Sequence, residues 1–356
     1  MGTSTEQVES FLRAVGRKHP VLILPHVNPD PDSLASALGL QAILAHHGVE
    51  SAIGALGIIG RAENRAMVRV LDIDLVRQKN LDFKKFPKVV LLDSQPGRKN
   101  VGLPARRVPA AVIDHHPNWG TCDRVPYCDI REGYGATSTM VAEYLQTAGV
   151  EIDARLATAL LYGIASETQD LGRDAYKPDH EAHMVLYPLA DKQKLSRIRV
   201  PTLTKTYFRA LHGAMESASI YDDVLVSVVK KLHYPDLVAE LADYFLRIDG
   251  VKWAWVIGAY EGEYYLSCRT QDRTQNAAVV MAKVLRKIGQ GGGHESIAGG
   301  KATPAENPDV DLPAEIEKRI LRLLGKKVAD RAPLIVEDAP KPAPKSDKSD
   351  KDKADA

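Results

Sequence analysis

The sequence predicts an α/β protein, with an open, mostly parallel sheet in a catalytic domain and a second, smaller mixed α/β substrate domain. Three observations carry that expectation. Through the first half of the 356-residue chain, short apolar runs of buried-strand type alternate with longer segments of helical period. Past residue 220 the order changes to strand, helix and then two strands around a tight turn. After Val336 apolar side chains almost vanish, leaving Pro, Lys, Asp, Ala and Ser, a composition too poor in apolar surface to offset the entropy of ordering.

The elements follow in order. VLILPH at 21–26 reads as a strand, and SLASALGLQAILAHH at 33–47 as a helix, with Leu34, Leu38, Ala42 and Ala45 at helical spacing and Gly48 as its stop. Further strands are expected at 51–56, 89–92 and 110–113, and helices at 136–146 and 154–161. The stretch 179–219 has mixed helical character without a strand signal, so the interdomain connection belongs within it. The expected organisation is 1–190 catalytic domain, 191–219 helical connector, 220–336 substrate-binding domain and 337–356 disordered tail. In the second domain, 224–232 reads as a strand, 236–246 as a helix, 253–269 as two strands around Glu261-Gly262-Glu263, and 276–288 as an amphipathic helix. No internal repeat is evident.

Composition narrows the partners. A net charge of +1 gives no broad basic face for long duplex DNA, but leaves room for a small anionic substrate held by local groups. The cysteines Cys122, Cys128 and Cys268, odd in number and irregularly spaced, give no disulfide framework and fit a reducing cytoplasm. The apolar runs are too short for a membrane span, the first ten residues lack a signal-peptide core, and Glu6 breaks the myristoylation pattern. The expectation is a soluble cytoplasmic protein with no membrane partner; a homodimer stays open.

The chemistry sits at strand ends. His26-Val-Asn-Pro-Asp30-Pro-Asp32-Ser33 follows the first strand, and Pro31 pushes Asp30 into an extended conformation, where residues two apart share a side and both carboxylates could face one ion. The alternative is a polar turn in which Asp32 or Ser33 caps the next helix. Asp93 ends the run VVLL, and Asp114-His115-His116 ends AAVI. Each is weak alone. Ligands of open α/β sheets bind outside the carboxyl ends of the strands, and here three such ends deliver carboxylate and imidazole together. A donor set without thiolate suits manganese or a similar divalent ion better than structural zinc.

These motifs resemble those of the DHH phosphoesterase superfamily, whose name is spelled by Asp114-His115-His116, and within it the nanoRNase and pAp-phosphatase-like branch. That branch joins the catalytic domain to a DHH-associated substrate domain, whose hallmark resembles GGGHESIAGG at 291–300 together with Ser267-Cys-Arg269. The resemblance implies two divalent ions, most simply Mn2+. His26 and Asp30 would hold one, Asp32 and His115 the other, with Asp93 bridging both. It also implies that His116 faces the substrate phosphate, that Asp114 orients the histidines, and that Arg269, Gly292, Gly293 and His294 contact the substrate. A further motif usually reads Gly-Ile-x-x-Asp-Thr. Here Gly163-Ile-Ala-Ser-Glu167-Thr168 places Glu167 at the ligating position, with Asp170 as the alternative.

The implied reaction is hydrolysis of short single-stranded RNA or a small nucleotide such as 3'-phosphoadenosine 5'-phosphate by two-metal activated water. A phosphodiesterase for cyclic dinucleotides or their linear products is an alternative, and a non-catalytic nucleotide-binding regulator is one of another class. Inorganic pyrophosphatase is disfavoured, because its partner domain lacks such a GGGH segment.

Overall fold

The computed structural model describes residues 2–98, 100–104, 106–306 and 308–336. The chain divides into two units, Met1–Leu203 and Thr204–Ala356.

The first unit begins with α1 (Thr5–Val15), started by a capping box between Ser4 and Gln7. Then follow β1 (Val21–Pro25), α2 (Pro31–His46), β2 (Ser51–Ala55), α3 (Ala62–Val70), β3 (Val76–Arg77), β4 (Lys88–Leu92), β5 (Ala111–Asp114) and β6 (Tyr127–Ile130). The helices α4 (Thr137–Thr147), α5 (Ala154–Glu167), α6 (Lys177–Leu189) and α7 (Lys192–Arg199) complete it. The sheet order is β3-β2-β1-β4-β5-β6, all parallel. Both faces are covered. Val21 and Ile23 enter one apolar core while Leu22 and Leu24 enter the other, which is why β1 reads as a continuous apolar run. The chain leaves β1 toward β2 on one side and returns as β4 on the other, a switch point that opens a crevice at the carboxyl ends of β1 and β4.

Close helix packing depends on one glycine in α5. A Cβ at Gly163 would lie 2.4 Å from Ser138 Oγ of α4 and 3.0 Å from Ala35 Cβ of α2. Gly163→Val is expected to destabilise the first unit by about 3 kcal/mol through overpacking, read as a lower melting temperature. An unchanged melting point would show that α2, α4 and α5 can separate without loss.

The second unit consists of α8 (Lys205–Ser217), β7 (Ser219–Tyr221), β8 (Val224–Val229), α9 (Leu237–Phe245), β9 (Trp253–Tyr260), β10 (Glu263–Thr270), α10 (Ala277–Val284), β11 (Gly289–Gly293), β12 (Ile297–Ala302), α11 (Leu312–Leu323) and β13 (Arg331–Pro333). Its sheet runs β11-β12-β10-β9-β8-β7-β13, with only β8 and β9 parallel. The β9–β10 hairpin closes on Glu261 (φ 47°) and Gly262 (φ 82°), two consecutive left-handed residues of the kind a two-residue hairpin turn requires.

Several sequence expectations are modified. Helix α2 starts earlier than 33, because Asp30 caps it and Pro31 takes the first helical position. The expected connector 191–219 does not stand apart. Leu195 and Ile198 of α7 pack in the core of the first unit, and Ala210 and Ala214 of α8 in the second. The expectation of no disulfide framework is corrected at one pair, since Cys122, in the loop before β6, is disulfide-bonded to Cys128 on β6, while Cys268 is buried and free. A turn that donates Val125 N–H to Cys122 C=O folds this loop back, a local geometry that cysteine counting does not register. The expected tail 337–356 lies outside the described residues. Among the described residues no helix is long and apolar enough to cross a membrane.

Candidate metal centre

β1 delivers His26, and Asn28, in the left-handed region at φ 61°, turns the chain toward α2. His26 Nδ1 lies 3.0 Å from the Val27 carbonyl, an acceptor only, so Nδ1 carries a proton and Nε2 faces inward. Asp30 uses Oδ1 to cap α2, accepting from Ser33 N–H at 2.9 Å, and leaves Oδ2 3.3 Å from His26 Nε2.

Asp93 is the hub. It follows β4 directly, is 3% exposed, and sits at φ 55°, a left-handed conformation that Asp tolerates better than most residues. Its Oδ2 lies 3.5 Å from His26 Nε2, while its Oδ1 lies 3.4 Å from His115 Nε2 and 3.5 Å from His116 Nδ1. The same Oδ1 accepts from Thr137 Oγ1 at 2.9 Å. Two groups of ligand-type atoms therefore share Asp93: His26 with Asp30, and His115 with His116.

His115 donates Nδ1–H to the Tyr134 carbonyl at 3.1 Å, and its buried Nε2 has no hydrogen-bond partner among the described residues. A buried imidazole nitrogen left without a donor, beside an acid, fits a metal ligand. His116 is turned the other way. Its Nδ1 is 2.8 Å from Asp114 Oδ1, and Gln95 Nε2 donates to Asp114 Oδ2 at 2.7 Å, so Asp114 orients the ring and leaves its Nε2 free.

Asp32 lies inside the first turn of α2, so the premise of an extended segment from Asp30 to Asp32 does not hold. Its fully buried carboxylate accepts the N–H groups of Thr137 and Ser138 at the start of α4, at 2.8 and 2.7 Å. Each oxygen retains a second lone pair. Glu167 ends α5 and feels Asp30 and Asp93. Asp170 is placed differently: Gln169, Asp170 and Leu171 are all left-handed, and the exposed Asp170 pairs with Arg199 of α7 at 2.5 Å.

The electrostatics call for a cation. Burial, then the charges of Asp93 and Asp30, push Asp32 up to about 8, and burial with Asp30 and Asp93 pushes Glu167 up to about 7. Burial would lower His26, yet Asp30 and Asp93 raise it to about 10, and His26 in turn holds Asp30 well below the usual carboxylate range despite burial. Burial also opposes a charged His116, but Asp114 raises it to about 9. Protons stand where positive charge is needed, and a divalent ion would displace them. A donor set of carboxylates and imidazoles without thiolate fits such an ion.

Residues 20–164 match the family model described as the DHH family, N-terminal domain, and residues 222–318 match the DHHA1 domain. The chain belongs to the DHH family. It is 32% identical over 287 residues to an uncharacterized protein of Methanocaldococcus jannaschii, across 80% of this chain and 58% of that one. It therefore spans little more than half the length of that relative. It is 26% identical over 300 residues to the bifunctional oligoribonuclease and PAP phosphatase NrnA of Thermus thermophilus, across 82% and 86% of the two chains. An exopolyphosphatase-related protein from Bacteroides fragilis shares the fold, with TM-score 0.66 at 15% identity over 90% of this chain and 96% of that one.

Within the DHHA1 domain, the glycine-rich 291–293 belongs to strand β11, paired along its length with β12. Helix α10 lies against this hairpin, and a Cβ would meet Met281 Cγ at 2.7 Å from Gly291 and Leu285 Cδ1 at 2.2 Å from Gly300. Gly292 is exposed with open space around it, and Gly293 and His294 lead into the exposed turn before β12. Arg269, buried on β10, donates Nε–H to Asp243 of α9, and its Nη1 donates to Ser267 Oγ at 2.8 Å and Cys268 C=O at 3.0 Å. Within the DHH domain the sequence reading missed Thr137, Ser138, Gln95 and Tyr134, which hold ligand-type side chains in place. Only the helix-start composition of 137–139 hinted at them.

Proposed function

We propose that this DHH protein is a metal-dependent phosphoesterase that hydrolyses short oligoribonucleotides or small nucleotides such as 3'-phosphoadenosine 5'-phosphate. The observation that carries the reading is the position of Asp93, one oxygen toward each of two ligand groups. His26, Asp30 and Asp93 would hold one divalent ion; Asp32, Asp93 and His115 would hold the other, completed by Glu167. Manganese is the ion that this oxygen and imidazole set favours. Such a pair of ions, when bound, activates water and neutralises charge on the phosphoryl oxygens during in-line displacement.

The side chains do the remainder. His116, aimed by Asp114 and Gln95, presents Nε2 to the substrate phosphate, and its raised pKa favours the charged, donating form. The substrate class is supported by the similarity to the oligoribonuclease and PAP phosphatase. The deciding experiment incubates purified protein with manganese and a panel of diribonucleotides, cyclic dinucleotides, 3'-phosphoadenosine 5'-phosphate and pyrophosphate. Fastest turnover is expected on the diribonucleotides or the bisphosphate. Preference for pyrophosphate or for cyclic dinucleotides would overturn the substrate class.

Arg269, Gly292, Gly293 and His294 are the proposed substrate groups of the DHHA1 domain. Among the described residues Arg269 Nη2 has no hydrogen-bond partner, so one edge of the guanidinium is available to an anion. Arg269→Ala is expected to weaken nucleotide binding about tenfold, the loss of roughly one charge-assisted hydrogen bond, with metal content unchanged. Loss of metal in that variant would show that the roles are divided wrongly.

A further inference from the structure

Beside His116, two loops bring together an arginine and a tryptophan that the metal centre does not use. Trp119 follows β5, is 39% exposed, and stacks on the His116 ring with centroids 6.2 Å apart and planes 30° apart. Arg98, from the loop after β4, lays its guanidinium over the indole, with Cζ 3.9 Å from the ring centroid. Its carbonyl accepts from Val101 N–H, but among the described residues the Arg98 guanidinium makes no hydrogen bond and no ion pair. A guanidinium stacked on an aromatic face keeps its in-plane N–H edges outward, in the fork that matches a phosphate.

The platform is fixed by its own backbone. Three successive N–H groups are held: Asn118 by Glu132 Oε1 at 2.9 Å, Trp119 by Gln95 Oε1 at 3.1 Å, and Gly120 by Asn118 Oδ1 at 2.9 Å. The Cys122–Cys128 bond ties the following turn to β6. Gln95 thus links Trp119 to Asp114, so one side chain sets both the catalytic histidine and the indole. Holding a half-exposed tryptophan this firmly at the mouth of a site, with an unpaired cation on top, gains nothing for the core.

We infer that Arg98, presented by Trp119, binds a second phosphate of the substrate, next to the one that is cleaved. The residue pair thereby selects nucleotides carrying two phosphates within one nucleotide's reach over those carrying only the scissile group. The inference rests on the phosphoesterase reading above, and its test separates the two.

The test uses two diadenylates with an uncleavable methylene-bridged linkage, one with a 5'-phosphate and one without. Their binding to manganese-loaded protein is measured by calorimetry. The wild type is expected to bind the phosphorylated form about tenfold more tightly, the value of one bidentate arginine contact. Arg98→Met should erase that difference and leave the unphosphorylated form unchanged. Trp119→Leu should act likewise, Trp119→Phe should keep part of the effect, and Arg98→Lys should not restore it. The inference is overturned if the wild type shows no difference, if the difference survives Arg98→Met, or if both analogues weaken alike. Hydrolysis of the corresponding cleavable pair is followed separately. An Arg98-dependent preference without hydrolysis would retain the phosphate site and sink the enzymatic reading, and hydrolysis without that preference would do the reverse.

Discussion

Asp93→Asn is expected to lower hydrolysis by on the order of a thousandfold or more while leaving the protein folded. The carboxylate is shared between His26 and Asp30 on one side and His115 and His116 on the other, so an amide in its place removes anionic character from both ligand groups at once. The fold should tolerate the change. Asn has the same shape, accepts the left-handed backbone at this position, and keeps an oxygen for the Thr137 hydroxyl. Metal-free protein should melt close to wild type, because relief of the repulsion felt by Asp32 and Glu167 is offset by loss of the attraction to His26, His115 and His116. Rate with manganese, bound metal and metal-free melting temperature are the three readouts. Turnover within about tenfold of wild type would sink the shared-carboxylate assignment.

The second large effect separates two acids three residues apart. Glu167→Gln is expected to weaken manganese binding and activity by roughly ten- to a hundredfold, whereas Asp170→Asn should stay within about twofold. Glu167 is part-buried at the end of α5 and feels Asp30, Asp93, His115 and His116. Asp170 is exposed and spends its charge on Arg199, a contact that solvent screens. The measurement is a manganese titration of activity on each variant. If only Asp170→Asn loses the ion, the left-handed turn at 169–171 rearranges on metal binding and Asp170 is the ligand. If neither variant does, the coordination position belongs to water.

Much of the DHH domain is legible in the chain because a parallel sheet writes its pattern locally. Apolar runs such as VLIL and VVLL mark strands buried on both faces, and the first polar residue after each run marks the strand's carboxyl end. That rule alone places His26, Asp93 and Asp114 at one edge of the sheet. The glycine-rich 291–300 was equally visible, but its conformation was not. Glycine is permissive, and only α10, packing Met281 and Leu285 against Gly291 and Gly300, makes β11 and β12 a hairpin.

The short strand β6 and the Cys122–Cys128 bond escaped for a related reason, since Tyr127-Cys-Asp-Ile130 offers no continuous apolar run and a disulfide needs two side chains to meet. The sequence by itself determined which residues are of metal-ligand type and at which strand ends they stand. Tertiary structure decided what each of them faces: Asp32 the start of α4, Asp170 the guanidinium of Arg199, Asp114 the amide of Gln95, and Trp119 both His116 and Arg98. These partners lie far along the chain, and no local propensity encodes them. They are selected by which buried or half-buried polar groups remain to be satisfied once the sheet and its helices have packed.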